Sequence, residues 1–170
     1  PQPDHVAPLL RVHAAQVTFR PGSIFQRQEV RAVKGVSFDL YAGETMGLVG
    51  ESGSGKTTLA RATARLESII GGEVTFEGKS VHTLGGAAMK VLRRDISMMF
   101  QDPIGSLSPR MKVGDLIAEP FRIHGITNVD RKKETERLLS LVGLGPEFAS
   151  RYPHQMSGGQ KQRVMIAMAL

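Results

Sequence analysis

Apolar residues in the first hundred positions fall in short runs broken by glycine and proline, a spacing that favours strands. Residues 9–19 are rich in Val, Leu and Ala and predict a strand behind a polar, proline-containing lead. Residues 20–31 carry Pro21-Gly22 and several polar side chains, and predict a hairpin connection or loop. In 32–40, Val33, Val36, Phe38 and Leu40 fall near a period of two, which predicts a second strand closed by a turn at Ala42-Gly43. A short apolar run at 45–49, just before a glycine-rich stretch, predicts a buried strand, and 57–66, free of Gly and Pro, predicts a helix. Gly71-Gly72 turns the chain into a strand at 73–76, and 96–100 predicts one more.

Beyond residue 100 the pattern becomes helical. Residues 113–118 predict a helix that stops at Pro120. Asp130 is placed to cap a helix running to Val142, with Leu138, Leu139, Leu141 and Val142 as its apolar face and Gly143 as its end. Residues 164–170 predict a buried helix with no Gly, Asn or Pro after it to stop it. With no initiator Met at Pro1 either, both ends are expected to be cut, with residues missing beyond Leu170.

Composition narrows the classes. The 170 residues suit one domain with a real core, 41% hydrophobic and 22% charged. There is no cysteine, hence neither a disulfide framework nor a thiolate metal site, as suits a reducing compartment. The longest apolar run, 164–170, is far short of the ~20 residues that span a bilayer, and no basic-then-apolar signal segment opens the chain. Net charge is +6, but the basic residues are scattered, with short clusters only at Arg93-Arg94 and Arg131-Lys132-Lys133. A solvated basic surface explains that balance better than nucleic-acid binding, and no nucleic-acid partner is expected.

The sharpest chemical signal is Gly50-Glu51-Ser52-Gly53-Ser54-Gly55-Lys56-Thr57, which fits GxxxxGK[ST] at every fixed position. Glycines let the backbone curl so that successive N–H groups point inward as a nest for phosphate oxygens. Lys56 is placed to reach the β- and γ-phosphates of a nucleotide, Thr57 to ligate Mg²⁺, and the helix after it to direct its positive end at the anion, with Thr58 in its first turn. A plain glycine-rich turn is the alternative, but a predicted strand before and helix after are the arrangement this motif needs. The motif alone says only that the chain binds a nucleoside triphosphate.

Near the other end stands Met156-Ser157-Gly158-Gly159-Gln160. Ser157 and Gln160 make the S-x-x-Q pattern of a capping box. Two glycines in a first helical turn cost about 1 kcal/mol each relative to alanine. One reason to keep them is to offer bare N–H groups to an anion; the alternative is a merely capped helix.

Taken with Tyr152-Pro153-His154-Gln155 before it and Lys161-Gln162-Arg163 after, this segment resembles the signature of the ABC ATPases, usually written LSGGQ, with Met156 for Leu as a volume-conserving change. Met98-Met99-Phe100-Gln101-Asp102-Pro103 resembles the same family's Q-loop. The resemblance covers essentially the whole chain and implies an α/β P-loop fold with an antiparallel β-subdomain and a helical signature subdomain. It divides the chain into a strand-rich nucleotide core with the P-loop over 1–100 and a Q-loop and helical part over 101–170, the C-terminal part of the fold being absent.

The resemblance further implies ATP and Mg²⁺ as ligands and a head-to-tail dimer with a second ATPase subunit, the P-loop of one and the signature of the other enclosing each ATP. By the same resemblance Gln101 contacts Mg²⁺ or the attacking water, and its loop touches a membrane subunit. Phe25 is the candidate to stack on adenine, with a loop anchor the alternative. The wording around Gly50-Glu51-Ser52-Gly53, Ser108-Pro109-Arg110-Met111 and Ala118-Glu119-Pro120 resembles the dipeptide, oligopeptide and nickel importers, and their second ATPase subunit in particular. That implies two transmembrane permease subunits, an extracytoplasmic solute-binding protein acting indirectly, and a peripheral place on the cytoplasmic face of the inner membrane.

In the family, an Asp-Glu pair on a strand after the signature and a later His complete the catalytic site. His5, His13, His82, His124 and His154 all lie in the wrong part of the chain for that role. The 170 residues alone are therefore expected to turn over little ATP, and to expose a strand edge that favours aggregation. A soluble ATPase of the same class acting on nucleic acid or ribosomes, or a non-hydrolysing nucleotide-binding fragment, is the alternative function.

Overall fold

The computed structural model describes residues 7–19, 30–100, 105 and 107–170, so the calls on His5, Phe25, Gln101 and most of the 20–31 connection lie outside the described residues. Two compact units divide at Arg93 and Arg94.

The N-terminal unit is built on a four-stranded antiparallel sheet. Its strands are β1 (Leu10–Phe19), β2 (Val30–Leu40), β3 (Gly71–Phe76) and β4 (Lys79–Ser80), in the order β2-β1-β3-β4. Val12, Ala15 and Val17 of β1, Val33 of β2 and Val74 of β3 are buried, and so are Leu59 and Ala62 of α1 (Lys56–Thr63). Strict alternation fails because the β1–β2 ladder carries register shifts. One falls where Val17 pairs with Val33 but Thr18 pairs with Arg31, leaving Ala32 as an extra residue in β2. That bulge seats the phosphate loop, as described below. Arg11 and Asp39, opposite one another in the register, join across the ladder at 2.9 Å.

α1 ends in a Schellman-type turn, Leu66 N donating to Arg61 O (2.8 Å) and Arg65 N to Ala62 O (3.1 Å). The left-handed position is held by Arg65 (φ 52) rather than by glycine. A strap after β4 ties this end down: His82 Nε2 bonds to Ala62 O at 3.0 Å, and the Arg65 guanidinium donates to Leu84 O. Burial pushes the His82 imidazole below its ordinary value, more than the hydrogen bond to Ala62 O raises it, and the nearby Arg65 charge adds to the lowering. α2 (Gly86–Asp95), a helix that the pattern of apolar positions does not predict, buries only Met89 and Leu92.

The C-terminal unit is helical: α3 (Val113–His124), α4 (Arg131–Leu141), two 3₁₀ turns (Pro146–Ser150 and Pro153–Gln155) and α5 (Gly158–Ala169). Their core centres on Val113, Leu116, Ile117, Leu139 and Val164, each at most 2% exposed. Asp130 caps α4 as expected, accepting from Lys132 N (3.1 Å) and Lys133 N (3.3 Å). Gly143 ends it in the left-handed conformation (φ 68), with Leu144 N bonded to Leu139 O.

Three expectations change. α3 does not stop at Pro120 but runs through it to His124 and closes at Gly125 (φ 69), where Ile126 N bonds to Phe121 O. A proline inside a helix costs about 3 kcal/mol, whereas burying Val113, Leu116 and Ile117 returns about 1.5–3 kcal/mol each. Burial decides. The run at 45–49 belongs to no sheet, and Met46, Leu48 and Val49 are 41%, 47% and 94% exposed. The run at 96–100 likewise forms no strand, with Met99 and Phe100 exposed. An apolar run supplies a strand's side chains but not its hydrogen-bonding neighbour, and none of the described strands lies alongside either segment.

Candidate functional site

The loop from Gly50 to Thr57 joins the 45–49 segment to α1 and is curled by its own glycines. Gly53 and Gly55 take φ 80 and 92, a region that side-chain-bearing residues avoid. Gly55 is also sterically fixed, because a Cβ there would overlap the carbonyl oxygen of the bulged Ala32 and reach the Val33 side chain. As the residue preceding α1 it provides no side-chain cap, so the first-turn N–H groups of Lys56, Thr57 and Thr58 are left for an outside acceptor.

Lys56 folds over the hollow of this loop. Its Nζ donates to Gly50 O (2.8 Å) and Glu51 O (2.6 Å), with Ser54 Oγ at 3.4 Å. A cation held by three loop oxygens sits where an anion entering the hollow would meet it. Beside the loop lies a cleft of about 590 Å³ between it and β2, with Val30, Val36, Leu48 and Val49 among its apolar lining. Among the described residues its ionisable lining is cationic, namely Arg31, Lys34 and Lys56. A polyanion with one apolar end suits such a cleft. Thr57, the second residue of α1, offers a hydroxyl beside the loop, as Ser54 does within it; Mg²⁺ held there would neutralise phosphate charge.

The signature segment forms a second helix start, in the other unit. Ser157 and Gln160 complete the capping box, Gln160 N donating to Ser157 Oγ (3.3 Å) and Ser157 N to Gln160 Oε1 (2.9 Å). One turn upstream Tyr152 and Gln155 repeat the backbone half of that device, Tyr152 N donating to Gln155 Oε1 at 2.8 Å. Met156 between them is buried in the helical core. Gly158 and Gly159 are exposed, and a Cβ on either would meet nothing within 4 Å. Their bareness answers no need of the fold around them.

Sequence reasoning missed the role of Ala32. Its only trace in the sequence is a small residue where β2 must accept a close neighbour, and the register shift becomes visible only in the ladder.

A glycine loop leading into a helix, with a lysine folded over its hollow, defines a P-loop nucleotide-binding fold. The family profile described as ABC transporter matches residues 33–170. The chain belongs to the ABC transporter family. It is 50% identical over 175 residues to the glutathione import ATP-binding protein GsiA of Pectobacterium atrosepticum, a match covering 99% of this chain and 28% of that protein. Its match to GsiA of Escherichia coli strain K12 is 50% over 167 residues, covering 96% of this chain and 27% of that one. The chain thus spans just over a quarter of these curated relatives. Among solved structures it is similar to the ATP-binding cassette MJ0796, a dimer bound to ADP and Pi in a post-hydrolysis state, with a TM-score of 0.82 and 28% identity. That match covers 95% of this chain and 68% of the cassette. Among the described residues no helix is long and apolar enough to cross a membrane.

Proposed function

We propose that the chain is part of the ATP-binding subunit of an ABC importer, which couples MgATP binding and hydrolysis to uptake of small peptides of the glutathione class. The single observation that carries this reading is the pair of anion-ready helix starts, Gly55-Lys56 in one unit and Ser157-Gly158 in the other. In this reading the backbone of Gly50, Glu51, Ser52, Gly53, Ser54 and Gly55 and the first turn of α1 hold the phosphates. Lys56 exchanges its loop carbonyls for phosphate oxygens, and Thr57 supplies the Mg²⁺ ligand. Ser157, Gly158, Gly159 and Gln160 close the site on the ATP of a second ATPase subunit, as the dimeric state of the related cassette suggests.

Gln101 senses the Mg²⁺ or attacking water and the membrane partner, and Phe25 is the candidate neighbour of adenine. Two permease subunits and an extracytoplasmic binding protein complete the assembly at the cytoplasmic face of the inner membrane. The role of the relatives named above in glutathione import supports the peptide class. In this reading the base that activates water is supplied by a part of the subunit other than the cleft beside the loop, and the 170 residues by themselves turn over little ATP.

The test is MgATP hydrolysis by the full-length subunit with and without Lys56→Ala. Turnover that falls by two orders of magnitude or more in the variant supports the reading. Turnover unchanged by Lys56→Ala, or sustained turnover by the 170-residue chain, overturns it.

A further inference from the structure

The chain leading into the signature turn is pinned from Phe148 to Met156, two residues buried in the helical core. Arg151 lies over the Phe148 ring, 4.1 Å from its centroid, and its carbonyl accepts from Val113 N at 2.9 Å, at the start of α3. Pro153 is buried and opens the second 3₁₀ turn. That turn closes with Gln155 N bonded to Tyr152 O at 2.9 Å and Met156 N to Pro153 O at 3.2 Å. A segment tied this closely has little freedom left to lose when a ligand arrives.

His154, in the middle of that turn, is exposed. Its ring is stacked on that of Tyr152, with 5.7 Å between centroids and 14° between planes, so its orientation is fixed. The imidazole makes no hydrogen bond or ion pair with any other described residue. Burial in the fold accounts for Pro153 and Met156, but not for the ring between them. An exposed histidine alone needs no ligand to explain it. This one stands on a rigid turn three positions before Ser157, beside a helix start whose glycines leave their N–H groups bare. Bare N–H groups suit a phosphate, and a flat ring held nearby suits a base, which together is the chemistry of a nucleotide.

We propose that His154, backed by Tyr152, is the base-binding part of the signature site. When Ser157, Gly158, Gly159 and Gln160 close on the phosphates of an ATP held by a second subunit, the His154 ring packs against the purine of that ATP. This rests on the two-subunit site proposed above. The ring touches no reacting atom, so the contact is worth as much before the chemical step as during it. Its removal therefore raises KM and leaves kcat in place. Stacking of a base on a ring sets the scale of the effect at about 5- to 20-fold.

The experiment measures MgATP hydrolysis against MgATP concentration, and the denaturant midpoint, for the full-length subunit as wild type, His154→Ala, His154→Phe and Gly158→Ala/Gly159→Ala. His154→Ala is expected to raise KM about 5- to 20-fold, with kcat within about twofold and the midpoint unchanged. His154→Phe keeps a flat ring but no ring N–H, and should bring KM back to within about twofold of wild type. An unchanged KM in His154→Ala, a KM that His154→Phe does not restore, or a lower kcat that follows a lower midpoint overturns the base contact. Each of these leaves the signature site standing. Hydrolysis unaffected by Gly158→Ala/Gly159→Ala overturns the signature site itself, and the base contact with it.

Discussion

The two helix starts, Gly55 before α1 and Ser157 before α5, use glycine for opposite reasons. Gly55 is demanded from within: φ 92 and the nearby Ala32 carbonyl exclude any side chain, whatever the loop binds. Among the described residues nothing demands Gly158 and Gly159, since a Cβ on either would meet no atom within 4 Å and the capping box would close equally well on alanines. A helix that keeps two glycines at about 1 kcal/mol each without a steric reason keeps them for something that arrives from outside. The first site is built by the fold; the second, in the function proposed above, is completed by a partner.

The comparison breaks most visibly at Gly55. Gly55→Ala should cost about 3 kcal/mol or more, combining a left-handed backbone with a clash against backbone atoms. MgATP binding should disappear with it; equilibrium unfolding and nucleotide titration of the variant check both. A variant that folds and binds normally removes the steric half of the contrast.

A smaller effect is expected at the second start. Ser157→Ala removes the acceptor for Gln160 N and should cost about 1 kcal/mol of stability, readable as a lower denaturant midpoint at unchanged slope. A larger loss would mean that the signature turn, like the phosphate loop, is held by strain.

The smallest effect concerns the far end of α1. Because His82 is held below its ordinary value, the unfolded chain binds its proton more readily than the folded one in that range. Its contribution is therefore complete above about pH 6.5 and declines as the pH falls below that value. His82→Gln should flatten this part of the pH–stability profile, and a profile unchanged by the substitution would show that the strap does not tune α1.

Much of this was legible in the sequence, and the gaps have physical causes. The GxxxxGKT spacing and the S-x-x-Q cap specify local backbone hydrogen bonding, so both helix starts could be read directly. Asp130 and Gly143 bracket α4 for the same reason. What sequence could not give was anything set by a neighbour. The apolar runs at 45–49 and 96–100 have strand-like composition but no ladder partner among the described strands, and Pro120 looked like a stop until the burial of Leu116 and Ile117 outweighed it. The seat of Gly55 depends on a bulge in β2, and a bulge belongs to a pair of strands rather than to either one.

The central claim, that the signature glycines serve an outside ligand rather than the fold, is tested most directly by the Gly158→Ala/Gly159→Ala double variant of the full-length subunit. Its stability and its MgATP hydrolysis should be measured side by side. The account predicts stability equal to wild type or higher by up to about 2 kcal/mol, together with hydrolysis reduced at least tenfold. Hydrolysis at the wild-type rate, or a loss of stability that accounts for the lost activity, would contradict it.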